Sequence, residues 1–368
     1  MNSITNRQMV LLLIITLTCY SIIVIPKDMA QSAGTGSWLT LIVTALIFGI
    51  AAVIIVSLNS LFQGKMLFDY APQIVGKPMT YIIVFFYVVY FMMILVYLIT
   101  AKAKLLKDDF FPNTPLWAFP LIGVPVFSYI ANKGITNAGR LSELVGVVLI
   151  TTAIFVHILM ITQGEVNRIL PVFNAAEIKN YAQGLKPAIF PFLGIEVLLA
   201  VPLTKVNGSH IRRTAFFTVL FIGLFYILVV ESCIMKVGVS DIVNYNDALI
   251  VAIRDTAPEF LDIFARLDIL YLTIGFGAIF VGISIVMAVI IEYLCKIFKK
   301  VKRQIVVIAV AVLAYAQFFI FKDLKHYDEF ITEAGTYSGL VAAILIPSVL
   351  WLIAKKRKKK VKGKKDAV

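Results

Sequence analysis

The chain has 368 residues, 60% of them hydrophobic and only 15% charged, with a mean hydropathy of +0.93. A soluble domain is about 45–50% apolar and about 25% charged, so a water-soluble globular protein is excluded, as are disorder, collagen and a disulfide scaffold. The formal charge of +13 would point to nucleic acid if it were spread over a surface, but nine of the 34 Lys/Arg fall within Lys355–Lys365.

A helix needs about 20 mostly apolar residues to cross the hydrocarbon layer. That rule predicts ten spans, at about 9–33, 38–62, 79–103, 116–131, 141–162, 186–203, 213–235, 266–293, 304–321 and 336–354. Helix is required because every backbone polar group must be satisfied in lipid, and the runs are too long for barrel strands. In the first span a polar cluster, Thr18-Cys19-Tyr20-Ser21, interrupts the apolar run and Pro26-Lys27-Asp28 follows. Its long apolar stretch, with no small-residue cleavage site before Gly34, argues against a signal peptide. The third span is rich in tyrosine (Tyr81, Tyr87, Tyr90, Tyr97), with Tyr87, Tyr90 and Ile94 near mid-depth. Such aromatics either wall a small-molecule pocket or simply pack. The fourth span is short and holds Pro120 and Pro125; the fifth holds a lone His157, which reads as a satisfied bundle residue.

The sixth span, KPAIFPFLGIEVLLAVP, places Pro187, Pro191, Gly194 and Pro202 around Glu196. Proline removes a helical donor and glycine lets backbone open, so this span, like the first, is predicted to break. Freed amides and carbonyls at a break hold a ligand's carboxylate and ammonium. A carboxylate inside a span is costly, so Glu196 faces a cavity or a partner, whether to order the broken helix or to sense a ligand amine. Arg266 and Asp268 open the eighth span after an amphipathic stretch at about 246–263; two apart, they face different ways on a helix. Thr273 and Ser284 are isolated, so the paired hydroxyls of a sodium site are missing. The cysteines Cys19, Cys233 and Cys295 lie in or beside apolar runs and read as buried thiols.

Charge predicts the orientation. Counted from an inside N-terminus, the inner segments hold 22 of the 34 Lys/Arg, and most of the acids fall outside. Both termini are therefore expected in the cytoplasm. The basic tail, 355–368, follows a span directly and reads as an anchor on anionic lipid rather than a nucleic-acid site. The two interrupted spans are numbers one and six, the same place in each set of five. Five-span halves must be inverted relative to each other, which predicts one domain over 1–354 with repeat halves of about 1–165 and 180–354. Walker, HExxH, CxxC, GxSxG and Gly-rich nucleotide sequences are all missing from the chain, so neither an enzyme nor a cofactor is expected.

The chain resembles a known family, the spore germination B subunits of nutrient germinant receptors, the GerAB/GerKB-like branch of the amino acid–polyamine–organocation (APC) superfamily. The resemblance rests on the proline-basic pair leading into AQSAGTGSW, on Pro191-Phe192-Leu193-Gly194-Ile195-Glu196, on Arg266-x-Asp268, and on length and span layout. It covers nearly the whole chain, although Cys19-Tyr20-Ser21 stands where glycines are common. It implies an all-α, LeuT/APC-like 5+5 inverted repeat with broken helices one and six. It also implies a receptor subunit in the spore inner membrane, working with A-type and lipoprotein C-type subunits, in which a nutrient, usually an amino acid, triggers germination. A proton-coupled amino acid transporter is the alternative, and a ligand-free membrane scaffold a third reading. The expected pocket lies between Cys19, Tyr20 and Ser21 on one break and Phe192, Leu193, Gly194 and Glu196 on the other. Tyr90, Ile94, Phe276 and Phe280 are expected to wall it, with Pro191, Arg266 and Asp268 in structural or gating roles.

Overall fold

The computed structural model describes residues 4–203, 210–245, 247–256, 267–321 and 327–365. Their regular structure is helical, without a strand among the described residues. Eight helical stretches are long and apolar enough to cross a membrane. The first and fourth predicted spans fall below that length: α1 (Asn6–Ser21) has 16 residues and α6 (Ala118–Asn132) has 15.

The first predicted span divides into α1 and α2 (Ile25–Ala33). Thr5 caps α1 through a reciprocal pair with Gln8, satisfying donors that a helix start leaves free. The break follows from Pro26, which supplies no N–H to the carbonyl of Ile22, four residues back. The chain turns instead, with Ile22 N–H donating to Thr18 O (3.3 Å) and Val24 N–H to Ser21 O (3.1 Å). Helix α3 (Ser37–Leu61) follows, then α4 (Leu67–Val75) and the long α5 (Lys77–Asp109), which carries the third span well past its predicted end at 103. Helix α7 (Ile135–Gln163) is the fifth span.

The sixth span is α8 (Ile178–Phe192), then Leu193–Gly194, then a 3₁₀ turn at Ile195–Ala200. Gly194 adopts φ +111°, which L side chains rarely reach, and this ends α8. The outer halves of the two broken spans lie together: a methyl at Gly184 of α8 would stand 3.0 Å from Ala33 Cβ of α2. Next come α9 (Ile211–Val237), the short α10 (Val239–Ile242) and α11 (Ala248–Arg254), then α12 (Leu267–Ile297) and α13 (Arg303–Phe321). The tenth span is α14 (Tyr327–Leu340), a π turn (Val341–Leu345) and α15 (Ile346–Lys365). In the π register Pro347 would be the donor to Ala342 O and has no N–H to give; the Tyr87 hydroxyl donates to that carbonyl instead (2.7 Å).

The segments predicted to face inward gather at one end of the bundle. Arg7 pairs with Glu143 (3.0 Å), Arg303 with Glu292 (2.8 Å) and Lys296 with Asp69 (2.8 Å), and Arg357 donates to Gln73 O (2.9 Å). At the opposite end the 164–177 connection lies on the start of α3, where Trp38 Nε1 donates to Val172 O (2.8 Å) and Thr35 to Pro171 O (2.7 Å).

Candidate functional site

The two breaks meet. A methyl group at Gly194 would lie 2.9 Å from Thr16 Cγ2, 3.5 Å from Tyr20 Cε2 and 3.7 Å from Leu17 Cδ1, so the sixth span can only approach α1 this closely as glycine. Glu196, two residues on, is fully buried. Its carboxylate folds back so that both oxygens accept the Gly194 N–H (3.0 and 2.9 Å), and Oε1 also accepts the Tyr90 hydroxyl (2.7 Å). The amide freed by the break is thus already held by the chain's own acid. Tyr20, in the last turn of α1, brings its hydroxyl to the same place, buried and without a hydrogen-bond partner. An unmet buried hydroxyl costs about 1–3 kcal/mol.

The carbonyls released by the two broken spans are handled differently. Pro191 O, exposed by the end of α8, accepts the Tyr226 hydroxyl of α9 (3.0 Å), and Leu198 O accepts Asn59 Nδ2 of α3 (2.7 Å). Tyr70 holds Asn59 in turn (2.8 Å). The inner end of the sixth span is therefore tied to α3 and α4. At the first break the tie is to α12: Cys19 Sγ donates to Ile279 O (3.5 Å), and a methyl at Gly282 would stand only 2.4 Å from Cys19 Cβ. A small apolar cavity of about 30 Å³ opens beside this contact, lined by Cys19, Ile22, Leu149, Leu249, Tyr271 and Phe276 among others.

The structure sorts the expected site residues into distinct groups. Tyr20, Tyr90, Gly194 and Glu196 converge. Cys19 and Phe276 border the apolar cavity, and Ser21 is buried at the end of α1 beside the break. Ile94 packs beside Phe190, since a methyl at Gly335 would lie 3.4 Å from Ile94 Cδ1 and 3.1 Å from the Phe190 ring. Leu193 fills the notch at Gly339, where a methyl would lie 2.4 Å from Leu193 Cδ1. Phe192 turns toward α3 and α9, between Phe48 (5.8 Å) and Tyr226 (5.4 Å), and Phe280 toward α6 against Phe127 (5.2 Å). Arg266 lies outside the described residues, as does the side chain of Asp268, whose backbone belongs to the first turn of α12. His157 is satisfied, as expected of it: Ser232 donates to Val229 O (3.0 Å), so its oxygen accepts from His157 Nδ1 (2.8 Å), leaving Nε2 to face the Tyr271 hydroxyl (3.4 Å). The three cysteines are free, and the described residues contain no cluster of metal donors.

The sequence reading passed over two buried groups. Tyr293 of α12 is fully buried and its hydroxyl has no partner. Lys102 of α5, at the predicted end of the third span, is only 8% exposed. Its spacing from Phe91, Leu95 and Leu98, all fully buried, was the available signal: these positions share one helix face.

Residues 3–325 match the family described as "Spore germination protein". The chain belongs to that family. Among Bacillus subtilis (strain 168) proteins, it is 21% identical to spore germination protein YndE over 247 residues, 64% of this chain and 67% of that one. It is 26% identical to spore germination protein A2 over 212 residues, 56% of this chain and 57% of the relative. Of solved structures, it is similar to MhsT in complex with L-phenylalanine, with a TM-score of 0.66 and 13% identity over 94% of this chain and 97% of that one. It is also similar to Mhp1, a nucleobase-cation-symport-1 family transporter in a closed conformation with bromovinylhydantoin bound. There the TM-score is 0.59 and the identity 12%, over 96% of this chain and 94% of the other. The fold is therefore the LeuT type, with its two broken helices at 22–24 and 193–194. This spore germination family member is a multi-pass, non-enzymatic receptor or transporter.

Proposed function

We propose that this family member is the B subunit of a nutrient germinant receptor: it binds a small nutrient, an amino acid, at the paired breaks and triggers germination. It sits in the spore inner membrane with both termini in the cytoplasm and works with A-type and C-type subunits. The observation that carries the reading is the junction of the breaks, where Gly194 rests on α1 and the buried Tyr20 hydroxyl is left without a partner beside Glu196. A rigid scaffold gains nothing from such a group, whereas a ligand supplies what it lacks. Broken helices offer amides and carbonyls to a zwitterion near mid-membrane, the arrangement seen generally in transporters of this architecture. A second reading, a proton-coupled amino acid transporter, is favoured by the LeuT-type fold and by Glu196, an intramembrane carboxylate.

The test is genetic. Deleting the gene should abolish the germination response to one nutrient and leave non-nutrient germination intact, and the chain should co-purify with an A-type subunit. Normal germination of the deletion strain on every nutrient tested would count against the receptor reading.

A further inference from the structure

The first break stands beside empty space. The apolar cavity of about 30 Å³ is walled by the end of α1 and the turn after it (Cys19, Ile22), by α7 (Leu149), by α11 (Leu249) and by α12 (Tyr271, Gly275). Its polar side chains are all engaged within the chain. The Thr18 hydroxyl donates to Ile14 O (2.7 Å), Cys19 Sγ donates to Ile279 O (3.5 Å), and the Tyr271 hydroxyl meets His157 Nε2 (3.4 Å). The volume is about that of one water in the liquid, but a buried water needs about two to four polar partners, and the lining side chains offer none. What fits is an aliphatic group of one or two carbons. Gly275 keeps the space open: a methyl there would meet no atom within 4 Å.

We propose that this cavity receives the side chain of the nutrient and sets its chemical class, an amino acid with a short aliphatic side chain. This rests on the nutrient-binding reading above and specifies the ligand. The cavity and the junction of the breaks share the last turn of α1: Cys19 borders the cavity, and the ring of Tyr20, the next residue, lies beside Gly194. A ligand pocket is mostly apolar, with a few polar groups that fix orientation. Here the polar groups gather at the junction and the apolar wall lies at the cavity. The cavity is too small for a whole amino acid and has nothing to grip its charges, so its occupant is one part of a molecule held at the junction. Longer side chains are refused by Leu149 and Leu249, both buried. A side chain with a hydroxyl or a charge is refused because its polar atoms would be buried without partners.

The experiment uses the purified full chain in lipid nanodiscs and measures binding calorimetrically for the twenty proteinogenic amino acids and L-2-aminobutyrate. Each carbon added from glycine to L-alanine to L-2-aminobutyrate should tighten binding about fourfold, the worth of one buried methylene. L-leucine should bind no better than glycine. L-serine, which has a hydroxyl where L-2-aminobutyrate has a methyl, should bind at least about fivefold more weakly than it. Gly275→Val fills the cavity without a clash at its first carbon, so it should bring L-alanine and L-2-aminobutyrate down to the affinity of glycine, with glycine unchanged. Gly277→Val, equally open but outside the cavity wall, is the control for losing a glycine from α12 and should keep the parent's order. Equal affinity of glycine, L-alanine and L-2-aminobutyrate for the parent would overturn the assignment even without a variant. So would a Gly275→Val protein that keeps the parent's order, or a parent that binds only amino acids with long or polar side chains. Failure of every amino acid to bind the parent would instead overturn the nutrient-binding reading, and this inference with it.

Discussion

Gly194→Leu should raise the nutrient concentration needed for a half-maximal germination response by about thirtyfold or more. The backbone at Gly194 sits at φ +111°, and holding a side chain there costs on the order of 1–3 kcal/mol. The first added carbon meets Thr16 Cγ2 at 2.9 Å. Thr16 cannot swing aside freely, because its hydroxyl donates to Leu12 O (2.7 Å). Overpacking of this kind adds roughly 1–3 kcal/mol. The lower bounds together give about 2 kcal/mol against the broken geometry. If the nutrient binds only that geometry, apparent affinity falls with its population, and 2 kcal/mol is roughly thirtyfold. Gly194→Val should behave likewise. The assay is a dose–response series on spores carrying each variant, with protein level and membrane insertion checked by blot. An unchanged half-maximal concentration at normal protein level would show that the pocket lies elsewhere.

Gly282→Val should lower the thermal stability of the purified protein by several degrees, because a methyl there would stand 2.4 Å from Cys19 Cβ and force α1 off α12; an unchanged midpoint would refute this contact. Tyr293→Phe removes a buried hydroxyl without a partner, so the same melting assay should show no loss and a gain of up to about 1–3 kcal/mol, whereas a clear loss would mean that the hydroxyl is held. Ile94→Val should shift ligand preference by no more than about 200-fold, since one methylene in such a pocket is worth about 1–3 kcal/mol, roughly 10–200-fold; a complete loss of response would place Ile94 in a different role. A cysteine added after Val368 should react with an impermeant reagent only once the membrane is opened, and labelling in intact cells would overturn the orientation.

The breaks were legible because proline and glycine act locally. Pro26 denies a donor to Ile22 and Gly194 takes a φ closed to other residues, and neither needs a tertiary contact to do so. The helical class was legible from apolar run length alone. Direction was not. Nothing in the sequence turns Phe192 toward Phe48 and Tyr226, or Phe280 toward Phe127, rather than into a pocket, because long apolar runs look alike around the whole helix. Lys102 was hidden for a related reason. Hydropathy ends the third span at 103, but α5 continues to Asp109, which draws a residue that reads as membrane-end into the packed body of the bundle. The tie between Tyr87 and Ala342 was equally out of reach: Pro347 predicts an unmet carbonyl but not which hydroxyl meets it.

The most direct measurement is an experimental structure of the purified chain at saturating nutrient, using the compound to which the deletion strain no longer responds. The ligand is expected at the junction of the two breaks, near the Tyr20 hydroxyl. Ligand density at another place, or an empty junction under conditions where calorimetry shows the protein occupied, would contradict the assignment of the paired breaks as the nutrient site.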